Sequence, residues 1–395
     1  MRHNLLTIGI AAIVLFFFQQ AGAQHEKNLN QPGFKAESVL QEGRWYKVQV
    51  DRTGIHKLSY DKLEEIGFSN PEQVMVYAGV PHMLHEKVDS LPQDGLKPLP
   101  VLYQDNRLLF YACNSTRWTY DKPNEMFRIT PHPYASFNTF FLYQAESASA
   151  LREAEAQEYP PANPVNRDYF TDYTYHERND TNLVKSGREW YGEKFDARVN
   201  KRFEFPMPDL QAGSPVKVFA EVIARSPEAS SFRFEVGSSA KTIPISPVNY
   251  SYTARLANTG RVNLTAEAGT SDAVQVDVTY NKSSAASEGW LNRIVVHTRR
   301  NLVMPENELQ FTGLVPEAND GIRFTLGNPK PNLMVWHVSD PLQYNRITAE
   351  EGQNSTEFSV YSGTRNWVRL VAFNTAANYP SPDFDGLFTG EVSNQ

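Results

Sequence analysis

From Phe203 onward, apolar and polar residues alternate in short runs separated by clusters of Gly, Pro, Asn and Ser. A period of two is that of a strand with one buried face. The runs predict strands at Val216–Ile223, Phe232–Val236, Lys241–Ile245, Ser251–Leu256, Val274–Tyr280, Trp290–His297, Ile322–Leu326, Met334–Val338, Phe358–Tyr361 and Val368–Phe373. No helix-period segment falls between them. The pattern therefore predicts antiparallel sheets packed as a β-sandwich or jelly roll over residues 199–380, in one unit or two.

Earlier in the chain the signals are shorter. Tyr46, Val48 and Val50 alternate with Lys47 and Gln49, Asp51-Arg52-Thr53-Gly54 can turn, and Ile55 to Leu58 returns, which predicts a hairpin. Ser59 is placed to cap a short helix running through Leu63 to Ile66, and Gly67 to end it. Val74–Tyr77 reads as a strand, Leu99–Tyr103 and Leu108–Tyr111 as a second hairpin, and Phe140–Tyr143 as a closing strand. Residues 43–145 are thus expected to form a small, strand-rich α+β domain ahead of a mainly β body. Residues 146–198 read as a linker and seam. A short helix can form over Ala148–Ala156, and Tyr159-Pro160-Pro161-Ala162-Asn163-Pro164 imposes extended backbone. The seam ends in Ser186-Gly187-Arg188-Glu189-Trp190-Tyr191-Gly192-Glu193-Lys194-Phe195, where two glycines bracket a cation and a large aromatic ring. This is either an Arg188–Trp190 packing element or a binding site.

A chain of 395 residues has ample length for two or three domains. Its net charge of -7, with no basic block, argues against nucleic acid as a partner. Arg2 and His3, the apolar run Leu5–Phe18 and Ala21-Gly22-Ala23 predict a signal peptide over residues 1–23, hence export and a surface location. The run is shorter than the roughly 17–25 apolar residues of a membrane span. A flexible leader is expected over 24–42. Cys113 is the single cysteine, so no internal disulfide can form. At the end of Leu108–Ala112 it reads as a small buried hydrophobe.

Candidate chemistry is sparse. The nine histidines are scattered, and none is followed by glycine. His82 and His85 stand three apart with Glu86 next, but Pro81 and Pro92 flank them, which favours a loop without a third ligand. Asp383-Phe384-Asp385-Gly386 resembles only part of a calcium loop. No catalytic, cofactor or metal residue is assigned, and no cofactor is expected.

Five blocks in order carry a resemblance. Trp45-Tyr46-Lys47-Val48 with Asp51–Leu58, Leu109-Phe110-Tyr111-Ala112 with Trp118, Gly187–Glu193, Gly289-Trp290-Leu291 with Arg299-Arg300-Asn301-Leu302, and Trp336–Pro341 span about 45 to 341. Together they resemble the N-terminal, non-catalytic region of PorU-type sortases of the type IX secretion system, in the gingipain-type cysteine peptidase family. His56 stands where an aromatic residue is usual, and His337 where an acid is usual. The resemblance implies a scaffold followed by a gingipain-type peptidase domain bearing a His–Cys dyad. No position here matches that dyad, and residues 381–395 read as a tail toward that domain. Such sortases remove the C-terminal sorting domains of secreted cargo, join the cargo to anionic lipopolysaccharide, and are held by a PorV-like outer-membrane barrel. On this reading Arg188, Glu189, Trp190, Gly192, Trp290 and Trp336 are structural or interface residues. A self-contained surface adhesin or carbohydrate-binding module is the alternative.

Overall fold

The alternation after Phe203 becomes two sandwiches that share one continuous sheet. A computed structural model describes residues 39–40, 43–83, 95–147, 152–158, 163–187, 189–249, 251, 255–315, 317 and 321–389. The signal-peptide and leader expectations, Arg188, and the His85–Glu86 part of the candidate metal pair lie outside them.

The shared sheet has ten strands. From one edge they run Ala156–Gln157, Asn345–Ile347, Leu333–His337, Trp367–Asn374, Glu308–Leu314, Tyr169–Glu177, Glu288–Asn301, Pro215–Arg225 and Asn258–Glu267, with Lys194–Phe195 also pairing to Glu288–Asn301. A four-stranded layer (Asn200–Pro206, Ala273–Asn281, Ser230–Val236, Ser239–Ile245) covers one half. Phe232, Phe234, Val276 and Val278 of that layer meet Val218, Ala220, Ile294 and Val296 of the sheet in one core. A second four-stranded layer (Val165–Arg167, Gly321–Gly327, Ser355–Tyr361, Glu350–Glu351) covers the other half, where Phe324 and Phe358 pack with Phe311, Val368 and Leu370.

The strand Tyr169–Glu177 bridges the halves unevenly. It pairs with Glu288–Asn301 along its whole length, from Tyr169↔Asn301 to Glu177↔Arg293. With Glu308–Leu314 it makes the single pair Thr171↔Thr312. Beyond that pair the ladder is open, so the sheet splits there and leaves a gap.

The N-terminal region packs on the opposite face of the sheet. Arg44–Val50 lies between Asp383–Thr389 and Asn138–Gln144, while Gly54–Ser59 pairs with Arg107–Ala112 in a separate three-stranded sheet. The predicted hairpin over Tyr46–Leu58 is therefore a crossover between sheets. Val48, Val50, Ile55 and Leu58 are all buried, so one core between two sheets takes the apolar side of both strands. That core runs on into Trp336, Tyr344, Val371 and Phe373 of the long sheet. The helix forms over Tyr60–Glu65, with Ser59 Oγ accepting from Lys62 N at 3.4 Å and Gly67 at φ +103° behind it. One six-residue helix among strands leaves this region mainly β rather than α+β. The second hairpin forms as Leu102–Gln104 and Arg107–Ala112, with Asp105 and Asn106 both left-handed, as a tight two-residue loop requires.

Other expectations are corrected. Asp383–Thr389, read as tail or partial calcium loop, is a strand, and Asp385 is engaged by Lys47 at 2.6 Å. No metal-ligating group of three or more acids, His or Cys occurs among the described residues. Residues 148–151 of the helix expected over Ala148–Ala156 lie outside the described residues; in the rest, Glu153 makes a parallel bridge with Val101 and Ala156–Gln157 makes a parallel ladder with Arg346–Ile347. Residues 252–254 of the strand expected at Ser251–Leu256 lie outside the described residues, and a strand that was not expected runs over Asn258–Glu267. Its inward positions are Gly260, Val262, Leu264 and Ala266, too small at the start to register as apolar. At Gly260 a Cβ would come within 2.3 Å of Ile245 Cδ1, so the Ile243 and Ile245 side chains of the facing layer occupy the space that a larger residue would need.

Gly54 marks the crossover. Its φ is +144°, and a Cβ there would meet Glu308 Oε1 at 2.5 Å. Glu308 is the carboxylate that accepts from Ile55 N at 3.1 Å and faces Arg52 at 3.5 Å, tying the crossover to the second sandwich. Gly54→Ala is expected to cost about 1–3 kcal/mol through this overpacking and the unfavourable backbone. The check is a lowered urea midpoint with an unchanged slope.

Candidate functional site at the sheet split

The Ser186–Phe195 segment folds along the edge of the first sandwich. Asn182 ties the preceding loop, its Oδ1 accepting from Ser186 N at 3.1 Å and its Nδ2 donating to Ser186 O at 3.1 Å. Trp190 is 44% exposed beside Lys185 and Gly187, and exposed Glu189 accepts from the Tyr191 hydroxyl at 3.0 Å. Gly192 donates its N–H to Leu291 O at 2.8 Å, and a Cβ on it would lie 3.1 Å from Arg178 O. Glycine permits that close backbone approach, which a Cβ would tighten beyond ordinary contact. Glu193 then accepts from His176 Nε2 at 2.9 Å and lies 3.7 Å from Arg178. Burial alone would raise this carboxyl, but the His176 hydrogen bond and the two basic neighbours hold it below its ordinary range.

The structure brings two of the sequence blocks together. Lys194–Phe195 pairs with Gly289–Trp290, so the glycine-bracketed segment and the Gly289-Trp290-Leu291 block form one ladder. Trp290 is buried with Lys194 Nζ 5.8 Å from its ring, and Trp336 is fully buried in the core shared with the N-terminal region. The candidate residues thus divide between an edge loop, a ladder and a core.

A different set converges at the sheet split. Thr53, Cys113, Thr116 and Trp118 enter from the N-terminal region, Thr171, Asp172 and Tyr173 from the bridging strand, and Gln310, Phe311, Thr312 and Arg369 from the second sandwich. They enclose about 250 Å³. Arg369 donates from Nη2 to the Tyr173 hydroxyl, and its guanidinium lies 5.8 Å from the Tyr173 ring and 5.4 Å from that of Trp367. The edge of Trp118 meets the Tyr173 ring at 4.7 Å. Gln310 Nε2 donates to Thr53 O at 2.9 Å, and Asp172 is held by Arg300 at 2.7 Å.

Cys113 is half-buried in this wall. Burial pushes its thiol up, against the opposing pull of Arg369 and of a hydrogen bond with Tyr111. A thiol held protonated is the reverse of the activated thiolate that a cysteine nucleophile needs. No histidine lines the cavity. The buried imidazole of His297 is stacked on Tyr173 at 5.5 Å and has its Nε2 taken by the backbone of Phe127 at 3.1 Å, while that of His337 is bonded to Ser339 Oγ at 2.8 Å. The cavity is thus a polar recess with one cation, suited to binding rather than to acyl transfer at Cys113.

This convergence was not visible in the sequence, because the bridging strand has polar and aromatic residues on both faces and gives no clean alternation. A usable signal existed in Trp367–Asn374, where Arg369 interrupts an otherwise apolar run.

No protein-family model matches the chain, and no curated protein does. Among solved structures, that of dimeric latent PorU from Porphyromonas gingivalis superposes with a TM-score of 0.80 at 22% identity, over 91% of this chain and 35% of that one. The chain therefore has the fold of about a third of PorU, an extent that fits an N-terminal region. A cycloisomaltooligosaccharide glucanotransferase from Paenibacillus sp. (TM-score 0.16, 7% identity, 51% of this chain and 44% of that) is too distant to bear on the fold. The same holds for a triple jelly-roll protein of an archaeal virus turret (TM-score 0.16, 7% identity, 91% and 82%).

Proposed function

We propose that this chain is the N-terminal, non-catalytic scaffold region of a PorU-like sortase. In that role it is exported and surface-located. It supports a gingipain-type peptidase domain that trims C-terminal sorting domains from cargo and passes the cargo to anionic lipopolysaccharide, beside a PorV-like barrel. The observation that carries the reading is the likeness to PorU across 91% of the chain at a TM-score of 0.80. Its weight is increased by where the sequence blocks fall. Gly192 and Glu193, at the end of one block, exchange backbone hydrogen bonds with Leu291 of another just ahead of the Lys194–Phe195 ladder, and Trp336 lies in the shared core. Those are positions a scaffold of this shape depends on.

Deleting the gene in the source organism is expected to leave type IX cargo with its sorting domain attached, read as a mass increase on blots of the cell surface. Normal cargo processing in that strain would overturn the reading. The exposed ring of Trp190 beside an open, polar loop favours the second reading, a carbohydrate-binding module, because an exposed indole is a stacking surface for a sugar face. A glycan array separates the two: a signal lost in Trp190→Ala supports the binding module, and no signal supports the scaffold.

A further inference from the structure

We propose that the cavity at the sheet split is a binding site for a carboxylate, with Arg369 as the charge partner. Arg369 sits mid-strand between Val368 and Leu370, both fully buried, and its own side chain is half-buried. A cation in such a place is expensive unless a counter-charge compensates it. No carboxylate among the described residues lies within ion-pair distance of Arg369. Burial acts on it most, and the side chains that face it, Tyr173, Tyr111 and Cys113, include no carboxylate. The acid that shares the cavity wall, Asp172, is occupied by Arg300. Of the five N–H donors of the guanidinium, one hydrogen bond is made, to Tyr173.

The surroundings fit the ligand class. Thr53 and Thr116 line the cavity, the Thr53 hydroxyl accepting from Asn114 N at 3.1 Å, and Trp118 and Phe311 supply apolar sides. A planar guanidinium edge with free donors matches a carboxylate in a two-point arrangement. The volume, about 250 Å³, falls just below the roughly 300–1,000 Å³ of pockets for drug-sized ligands, so the occupant is a group of a few heavy atoms. A small free acid and an acidic side chain of a docked peptide share that chemistry. The proposal stands independently of the sortase reading.

Cys113 lines the same cavity and is the chain's only thiol, so it serves as a built-in reporter. Iodoacetate carries a carboxylate beside its reactive carbon; iodoacetamide is the neutral counterpart. In either reaction the C–S bond forms as the C–I bond breaks, iodide leaves, and the thiol proton goes to solvent. At alkaline pH the ratio of iodoacetate to iodoacetamide rates at Cys113 is expected to exceed that of free cysteine by about tenfold, the effect of one modest ion-paired contact. Propionate should slow the iodoacetate reaction and raise the unfolding midpoint of the wild-type chain. Both effects should disappear in Arg369→Gln and persist in part in Arg369→Lys.

The wild-type ratio needs no variant, so a misfolded substitution does not blunt the test. A free-cysteine ratio, together with no propionate effect on the midpoint, would overturn the proposal. Competition also identifies the source. Slowing by propionate alone points to a free acid, and slowing by a glutamate-bearing pentapeptide, but not its glutamine analogue, points to a docked chain.

Discussion

Acidification from about pH 7 to about pH 4 is expected to destabilise the fold by up to about 6 kcal/mol through two buried imidazoles alone. His56 and His297 are 2% and 3% exposed, and burial depresses each from 6.5 to about 4. The backbone contacts to Gly54 O and to Phe127 oppose this only in part. The sign follows from which state holds the proton. The unfolded chain takes up protons near pH 6.5 while the folded rings stay neutral. Their contribution is therefore complete above pH 6.5, falls as pH drops from there to about 4, and is flat below. Each unit in that window is worth about 1.4 kcal/mol per ring, hence roughly 3 kcal/mol each. Glu308 works the other way, since burial raises its carboxyl and the fold gains as pH falls through that raised value. Against a typical total of about 5–15 kcal/mol, the histidine effect is large enough to unfold the chain. Urea midpoints at about pH 7, 5.5 and 4 measure it, and His297→Gln should flatten the dependence. A midpoint constant across that range would contradict the assignment.

The second large effect belongs to Trp336. It is fully buried, with ring centroids 5.0 Å from Tyr344 and 4.8 Å from Phe373, in the core that joins the N-terminal region to the second sandwich. Trp336→Ala is expected to cost about 3–5 kcal/mol, the transfer loss plus the cavity left behind. The buried indole N–H has no acceptor. Trp336→Phe therefore keeps the aromatic contacts and removes an orphaned donor, and should cost less than about 1.5 kcal/mol. Chemical denaturation of both variants decides between packing and polarity as what the position requires. Equal losses would mean that the indole N–H has an acceptor in solution.

Much of the architecture was legible because its inward faces are strongly apolar. Val274–Tyr280 alternates cleanly and forms a strand close to those limits, while the apolar run in Trp290–His297 marks the middle of a longer strand, Glu288–Asn301, that is buried on both faces. Asn258–Glu267 gives a weak signal because its first inward position is Gly260, packed under Ile243 and Ile245 of the facing layer, and its last is Ala266. The bridging strand was missed for a deeper reason. It lies between two layers that diverge, so neither of its faces is uniformly dry, and Thr171, Asp172 and Tyr173 carry no periodic mark. The hairpin error at Tyr46–Leu58 arose because a turn sequence states that the chain bends, not which sheet it rejoins. Of the residues singled out from sequence, Gly192 and Trp290 belong to the ladder region, Glu189 and Trp190 to an exposed loop and Trp336 to a core, so they do not converge on one site. The converging set around Arg369 depends on contacts between residues some 200–260 positions apart, such as Arg369 with Tyr173 and Gln310 with Thr53.

The pairing of Asp383–Thr389 with Arg44–Val50 has a mechanical consequence. Arg44 stands opposite Thr389, so polypeptide on the N-terminal side of the first strand and polypeptide leaving the last emerge side by side. Tension drawing those two exits apart would load the ladder as a zipper, opening its hydrogen bonds one after another instead of shearing them together. The first sheet is then the weak link under pull, and the two sandwiches behind it are spared until it has opened.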